Sequence, residues 1–358
     1  MTRAARALIN LSSLRHNLSV AKKHTPEARQ LAIIKANGYG HGIEEVAQAL
    51  SAADAFGVAC LEEALCLREA GIKQPIVLLE GVMYADDLPL VREHHLQLVV
   101  HQIEQVEMLE NSPGVPIPVW LKVDTGMHRL GILPGEAPAI YQRLVEASAV
   151  ASPVRLMTHL ANADDRRDDT TMRQIYLFTP IASSLHTETS IANSAGILGW
   201  PASHSEWVRP GIMLYGVSPF LGSTAANHDL KPVMTLQSEV IAINKHQRGD
   251  HIGYGGTWRC PETMPVGVVA IGYGDGYPRH ALSGTPILVN GKRTQVIGRV
   301  SMDMLCVDLR GCPGTHIGDP VVLWGEGLPV EEVAEKAATI AYELLCKITS
   351  RVNFEYLD

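Results

Sequence analysis

Strand-like and helix-like segments alternate through the first 216 residues, and this alternation limits the fold more than any other feature. Helix-like stretches such as LEEALCLREAG separate most of the strand candidates. Such alternation predicts a parallel sheet with crossover helices, and eight units in this length predict a closed (β/α)₈ TIM barrel. An open doubly wound sheet is the alternative, but KANGYGHG after the first strand lacks its G-x-G-x-x-G spacing. The eight strand candidates are LAIIK (31–35), AFGVA (55–59), PIVLLEG (75–81), LQLVVH (96–101), IPVWLKVD (117–124), VRLMTHLA (154–161), TETSIANS (187–194) and WVRPGIMLYG (207–216).

The sequence pattern changes after Pro219. A polar, turn-rich stretch there leads into β-rich sequence with one predicted helix, PVEEVAEKAA. Asn290-Gly291 between apolar runs predicts a tight hairpin. We therefore expect an α/β protein in which residues 10–231 form the barrel and residues 232–358 form a mainly β domain. A strand within residues 1–9 is expected to join the second domain.

Composition excludes several classes of function. The chain has 358 residues, a formal net charge of −8 and no long basic run, so nucleic acid and anionic membranes are not expected partners. No apolar run has the length of a signal peptide or a membrane span, which favours a cytoplasmic protein. The six cysteines form no C-x-x-C pair, so we expect buried free thiols and no metal site.

Polar side chains gather where the predicted barrel strands end. In barrels of this type, catalytic groups lie at the carboxyl ends of the strands. Each of these residues alone has an ordinary structural explanation, such as a solvated rim lysine or a helix cap. Their coincidence on one rim favours an active site there. The residues are Lys35, Lys122, Asp124, Arg129, His159, Asn193, Ser194 and Arg209.

Lys35 indicates the chemistry, because an ammonium group at the end of an apolar strand either reaches solvent or serves as an amine nucleophile. NSAG and RPGI follow strands seven and eight, where such barrels commonly bind phosphate. A lysine together with a phosphate-bearing cofactor points to pyridoxal phosphate bound as a Schiff base. A barrel aldolase that works through a lysine Schiff base is compatible with the same residues.

Six strings carry a family resemblance that covers essentially the whole chain. They are IIKANGYGHG, KVDTGMHRLG, RPGIMLYG, GYGGTW, GYGDGYPR and GRVSMDML. In this order and spacing, the sequence closely resembles bacterial alanine racemases, the two-domain pyridoxal-phosphate enzymes of fold type III. The resemblance implies interconversion of L-alanine and D-alanine, with D-alanine supplied to peptidoglycan, by a homodimer whose active sites use both chains.

The resemblance also implies roles for individual residues. Lys35, which would form the internal aldimine, and Tyr254 look like the two bases on opposite faces of the substrate carbon. Arg209 is similar to the arginine at the pyridine nitrogen, and His159 would bridge Arg209 and Tyr254. Arg129 is similar to the arginine near the cofactor's phenolic oxygen and the substrate carboxylate.

Further positions follow from the same resemblance. Met302 would bind the substrate carboxylate through its backbone amide, and Tyr273 would narrow the access corridor, with Asp303 nearby. Lys122 matches a lysine that is carbamylated in many relatives. The remaining cofactor-binding residues implied are Tyr39, Asn193, Ser194, Gly211, Ile212 and Tyr342.

Two other functions fit parts of the pattern. A fold type III amino-acid decarboxylase also pairs a barrel lysine with a β domain, but it favours a cysteine proton donor. A non-catalytic pyridoxal-phosphate carrier would keep Lys35 and lack both the β domain and Tyr254.

Overall fold

The structure is a computed structural model that describes residues 4–358. The strands, in chain order, are β1 (Arg6–Asn10), β2 (Arg29–Ile33), β3 (Ala55–Val58), β4 (Ile76–Leu78), β5 (Leu96–Val100), β6 (Ile117–Lys122), β7 (Val150–Met157), β8 (Thr189–Ser190), β9 (Trp207–Val208), β10 (Met234–His246), β11 (His251–Ile252), β12 (Trp258–Arg259), β13 (Met264–Val269), β14 (Pro286–Val289), β15 (Lys292–Ile297), β16 (Leu305–Asp308), β17 (Pro320–Trp324) and β18 (Asn353–Leu357). The helices are α1 (Leu11–His24), α2 (Lys35–Gly40), α3 (Ile43–Ala49), α4 (Leu61–Glu69), α5 (Leu88–Glu93), α6 (Ile103–Glu110), α7 (Ala137–Glu146), α8 (Thr170–Leu185), α9 (Ser194–Gly199), α10 (Val330–Lys336) and α11 (Ala341–Cys346).

Strands β2 to β9 close into a parallel barrel, which confirms the predicted TIM fold. The ring closes where β2 pairs with β9, at Arg29–Trp207 and Gln30–Val208. Strands such as β3 and β4 are buried along their whole length, because helices cover the outside and side chains fill the inside. The continuous apolar runs of the sequence follow from this burial on both faces.

The C-terminal part is mainly β, as the sequence predicts. Its sheet has the order β13-β16-β15-β14-β17-β10-β1-β18. Because β10 also pairs with β13, the six strands from β13 to β10 in this order form a closed ring. The predicted hairpin is confirmed: Asn290 and Gly291 join β14 to β15, both with positive φ. A second helix, α11, was not predicted, and it packs against α2 beside Lys35.

The first strand of the chain lies in this β sheet. β1 pairs antiparallel with β10 and parallel with β18. Residues 1–3 of the segment expected to join the second domain lie outside the described residues. Because β1 runs directly into α1, which packs against α3 and α9 of the barrel, the chain joins the two parts here as well as between β9 and β10.

The amino end of the barrel carries an ion-pair cluster around Glu188. Glu188 accepts hydrogen bonds from Arg155 Nε (2.7 Å) and Trp207 Nε1 (3.0 Å) and pairs with Arg29. Burial alone would raise the pKa of the Glu188 carboxyl, but these hydrogen bonds lower it to about 2.

All six cysteines are free. The expectation of buried thiols is wrong for Cys60 and Cys346, which are exposed. Over residues 4–358, the structure contains no helix long and apolar enough to cross a membrane.

Candidate active site

Lys122 is the last residue of β6, and the other predicted rim residues follow the ends of their strands. β2 ends at Ile33, two residues before Lys35, and β9 ends at Val208, directly before Arg209. β8 is also shorter than the sequence pattern indicates and ends at Ser190.

Lys35 begins a turn of left-handed helix. Ala36, Asn37, Gly38 and Tyr39 have φ between 50° and 61° and ψ between 40° and 53°. An L-residue in this conformation costs roughly 1–2 kcal/mol, and only Gly38 escapes the penalty. A strained backbone at this position persists because surrounding contacts fix it, and strain of this kind concentrates at functional sites.

Three contacts hold the turn. Asn37 Oδ1 accepts a hydrogen bond from the Ile43 amide (3.0 Å), which links the turn to α3. Tyr39 is buried and stacks on another tyrosine ring. Gly40 has φ +78° and lies against the backbone of α11, where any Cβ would collide with the Leu345 carbonyl oxygen. The lysine loop is therefore shaped by both parts of the chain.

Gly40→Ala is expected to destabilise the protein by about 2–4 kcal/mol, because strained φ adds to a backbone clash. Gly71 is the matched control, since it has φ +82° and nothing within 4 Å of a built Cβ. Gly71→Ala should therefore cost only about 1–2 kcal/mol. Urea unfolding of both variants measures the difference, and equal losses would show that the Leu345 contact is unimportant.

Arg209 is buried and fixed by backbone oxygens. Its Nη1 donates to the Ser190 carbonyl (2.9 Å) and hydroxyl (2.7 Å), and its Nη2 donates to the Thr158 and Ile191 carbonyls. Burial lowers the pKa of the guanidinium to about 10, so it keeps its charge at neutral pH. This arrangement holds a rigid cation in the barrel mouth.

His159 lies beside Arg209, with Nδ1 3.4 Å from Arg209 Nη2. Arginine only donates, so Nδ1 accepts and the ring proton belongs on Nε2. Burial, followed by Arg209, Lys122, Arg129 and Lys35, lowers the pKa of His159 well below its usual value. His159 is therefore a neutral imidazole that presents an N–H.

Lys122 is buried in the same group of charges. Burial, then Arg209, Arg129 and Lys35, lowers its pKa to about 8. Asp124 acts in the opposite direction, but its Oδ1 accepts the backbone amides of residues 126–128 and so shapes the following turn. Arg129 lies just beyond that turn and is exposed. The rim thus has a surplus of positive charge.

A second cluster lies after β8 and β9. Ser194 Oγ accepts hydrogen bonds from the Gly211 amide (2.8 Å) and the Met213 amide (3.3 Å), with the buried Ile212 between them. Asn193 is the N-cap of α9: its Oδ1 accepts a hydrogen bond from the Gly196 amide (3.0 Å), which is the capping role that the sequence allows for it. A Cβ at Gly211 would lie 2.9 Å from the Tyr39 hydroxyl, so only glycine leaves this corner open.

Two tyrosines complete this corner. The rings of Tyr39 and Tyr342 lie 6.0 Å apart, and Tyr342 comes from α11. Burial, with Tyr342 and then Cys346 nearby, raises the pKa of Tyr39, and burial followed by Asp164 raises the pKa of Tyr342 to about 12. Both hydroxyls stay protonated and are available as hydrogen-bond donors.

The remaining predicted residues lie on the β domain. The Tyr273 and Met302 segments are joined by backbone hydrogen bonds, Tyr273 N to Ser301 O (3.0 Å) and Gly274 N to Met302 O (2.9 Å). Asp303 pairs with Arg351. Tyr254 sits in a glycine turn and is 67% exposed. The structure thus brings the barrel residues together and leaves Tyr254 and Met302 on an exposed surface of the same chain.

Several residues that organise the site were not predicted from the sequence. Ser190 and Thr158 hold Arg209, while His41 and Tyr215 pack behind Lys35. His41 and Tyr215 belong to the quoted strings KANGYGHG and RPGIMLYG, so the signal was present. Their contacts join segments more than 170 residues apart, and no spacing rule reveals such a pairing.

These residues fit a phosphate-bearing pyridine cofactor. Four cations, Lys35, Lys122, Arg129 and Arg209, act on His159, and an anionic ligand would relieve their mutual repulsion. Neutral hydrogen-bond donors are offered by Tyr39 and Tyr342. The corner between Ser194 and Gly211 leaves a space that a Cβ at Gly211 would occupy. Lys35 supplies an amine at the edge of the same space.

Comparison with known proteins agrees with this architecture. Sequence models of the alanine racemase N-terminal and C-terminal domains match residues 9–219 and 233–356. The chain is 51% identical to an alanine racemase of Aeromonas hydrophila (99% of this chain, 100% of the relative). It is 52% identical to a biosynthetic alanine racemase of Escherichia coli O6:H1, with 99% of each chain covered.

The fold comparison gives the same result. The crystal structure of biosynthetic alanine racemase from Pseudomonas aeruginosa superposes with a TM-score of 0.97 at 44% identity, covering 100% of both chains. Both parts of the chain, the barrel and the β domain, are included in this match. The chain therefore belongs to the alanine racemase family.

Proposed function

We propose that this protein is a pyridoxal-phosphate-dependent alanine racemase that interconverts L-alanine and D-alanine with two bases, Lys35 and Tyr254. The observation that carries the proposal is the cluster of Lys35, Lys122, Arg129 and Arg209 around a neutral His159. This cluster matches an anionic cofactor and a carboxylate substrate in charge, and Lys35 matches them in chemistry. The family membership supports the same reaction.

Bound pyridoxal phosphate supplies the electron withdrawal that makes the α-proton of an amino acid acidic. The chain's own residues then decide where that proton goes. Lys35 attaches the cofactor and takes or returns a proton on one face of the carbon. Inversion needs delivery on the other face, which one base cannot easily reach, so a second group is required. Tyr254 is the residue proposed for it.

Arg209 faces the pyridine nitrogen in this proposal. Because the guanidinium keeps its charge and is fixed by three backbone carbonyls, it would disfavour a proton on that nitrogen. With the cofactor bound, Arg209 would moderate its electron withdrawal and so limit the loss of cofactor to transamination. Arg209→Glu should increase transamination, and an unchanged rate would contradict this role.

We propose a homodimer in which Tyr254 of one protomer reaches the barrel of its partner. The support is the exposed face of the β domain, where Tyr254, Tyr273 and Met302 are 67%, 38% and 51% exposed. Aromatic and methionine side chains are frequent in interfaces, and exposed apolar groups mark them. His159 Nε2–H is then available to the incoming phenol oxygen, and the Met302 amide to the substrate carboxylate.

The proposed reaction is tested by incubating the enzyme and pyridoxal phosphate with L-alanine in deuterium oxide. A racemase places deuterium at Cα of both enantiomers and releases no carbon dioxide. A decarboxylase releases carbon dioxide, and a non-catalytic carrier binds cofactor and leaves alanine unchanged. A panel of other amino acids in the same chirality assay defines the substrate.

For a cellular role, we propose D-alanine supply for peptidoglycan from the cytoplasm. The biosynthetic relatives support this assignment. Expression of the chain in a bacterium that requires D-alanine should restore growth without the supplement, and failure of an expressed, active enzyme to do so would contradict it.

Lys122 is proposed to carry a carbamate that orients Arg129. Because the pKa of Lys122 is lowered to about 8, its neutral amine, which reacts with carbon dioxide, is accessible near neutral pH. Carbamylation replaces a buried cation by an anion among arginines, which removes the repulsion there.

Lys122→Ala is expected to lower kcat about a hundredfold through misplacement of Arg129. Acetate should restore part of the activity if the native group is an anion, whereas methylamine should restore it if the native group is an ammonium. Carbon-13 NMR of the parent protein equilibrated with ¹³C-labelled bicarbonate checks the same point through the resonance of the carbamate carbon.

A further inference from the structure

A buried layer of three rings lies behind the turn that carries Lys35. The Tyr215 ring stacks on the Tyr39 ring, with centroids 4.6 Å apart and planes at 25°. Tyr215 also contacts His41, whose ring centroid lies 4.8 Å from that of Tyr215. Tyr215 is 1% exposed and His41 is fully buried. We refer to Tyr39, His41 and Tyr215 as the aromatic support.

Hydrogen bonds tie the aromatic support to the backbone on both sides of Lys35. The Tyr215 hydroxyl donates to the Ile33 carbonyl (3.1 Å), at the last residue of β2. His41 Nδ1 faces the Gly38 carbonyl (3.1 Å) and the Tyr39 carbonyl (2.9 Å). Carbonyls only accept, so Nδ1 carries the proton and donates to both. The backbone is therefore clamped two residues before Lys35 and three to four residues after it.

The clamp matters because the enclosed backbone is strained. Ala36, Asn37 and Tyr39 are left-handed without being glycine. Such residues keep their conformation only where the surroundings fix it. If the Tyr215 or His41 hydrogen bonds are lost, the turn can relax, and Lys35 at its first position moves with it.

Neither residue is suited to proton transfer. Burial lowers the pKa of His41 to about 4, against hydrogen bonds that raise it, and burial raises the pKa of Tyr215. His41 Nε2 is buried and has no hydrogen-bond partner within the described part of the chain. Both side chains therefore stay neutral across the working pH range and act through geometry.

We propose that Tyr215 and His41 are positioning residues that hold the Lys35 amine in place for cofactor attachment and proton transfer. This inference rests on the proposed racemase function. It assigns part of the catalytic rate to residues that touch neither substrate nor cofactor.

Tyr215→Phe is the central test, and Tyr277→Phe is its matched control. Tyr277 is as buried as Tyr215 and stacks on Trp324, but its hydroxyl has no partner in residues 4–358. Tyr215→Phe is expected to lower kcat per bound cofactor about tenfold, with KM for alanine within about twofold. It should also weaken pyridoxal-phosphate binding, measured by absorbance titration of the cofactor-free protein. Tyr277→Phe should match the unmodified enzyme in each measurement.

The role of His41 is tested by two substitutions that separate its hydrogen bonds to backbone carbonyls from its ring contact with Tyr215. His41→Asn keeps an N–H near the position of Nδ1, and His41→Phe keeps only the ring. The kcat of His41→Asn should stay within about threefold of the parent value, and the kcat of His41→Phe should fall about tenfold. The pH profile of kcat should keep its shape in both variants, because His41 does not titrate there.

The outcomes are distinguishable. A parent enzyme without racemase activity would overturn the proposed function, and this inference with it. An active parent whose Tyr215→Phe and His41→Phe variants keep full kcat per bound cofactor would overturn the inference alone. The inference would also be overturned if these variants had a lower melting temperature and unchanged kcat, because the rings would then contribute only to stability.

Discussion

Lys35→Ala should abolish racemisation, with kcat reduced on the order of ten-thousandfold or more. The substitution removes the amine that attaches the cofactor and the base on one face of the substrate carbon. The fold should survive, because Lys35 is only partly buried and the turn behind it is held by other residues. Polarimetry or a D-amino-acid oxidase assay measures the rate, and absorbance reports the cofactor.

The control is Lys73→Ala, which removes an exposed lysine and leaves the rim unchanged. It should keep full activity and the absorbance of the lysine-bound cofactor. Lys35→Ala should lose that absorbance while unfolding near the parent temperature. Retention of more than about a tenth of the parent kcat would rule out Lys35 as an essential base.

The barrel was predictable from sequence because its signal is local and repeated. Each strand buried on both faces leaves a continuous apolar run, as in AFGVA at β3 and PIVLLEG at β4. The Asn290-Gly291 hairpin was predictable for the same reason, since both residues must accept positive φ. The second helix, α11 (Ala341–Cys346), was not predicted because it has only six residues and begins soon after α10 ends at Lys336.

The site was predictable only in part. Strand ends placed Lys35, Lys122, His159 and Arg209 on one rim, which needs topology alone. The left-handed turn at Ala36–Tyr39 was not predictable from propensity, because two of its residues, Ala36 and Tyr39, disfavour that conformation. It depends on α11 packing against Gly40 and on Tyr215 behind it, both distant in sequence.

The position of Tyr254 leads to the prediction that tests the shared active site. Tyr254 is exposed on the β domain, while the charges that act on Lys122 and His159 come from the barrel. Tyr254→Phe alone should lower kcat about a thousandfold by removing the second base. If each site combines Lys35 of one protomer with Tyr254 of its partner, two inactive variants should complement each other.

Mixing Lys35→Ala with Tyr254→Phe, after dissociation and reassociation, should restore about a quarter of the parent activity, because half of the dimers are mixed and each has one intact site. Lys35→Ala mixed with the Lys35→Ala/Tyr254→Phe double variant is the control, since no combination of those chains supplies an intact pair. If both bases came from one chain, the first mixture would remain as inactive as its components. Recovery in that mixture alone therefore places the two bases on different protomers, whereas inactivity in verified mixed dimers would exclude the shared site.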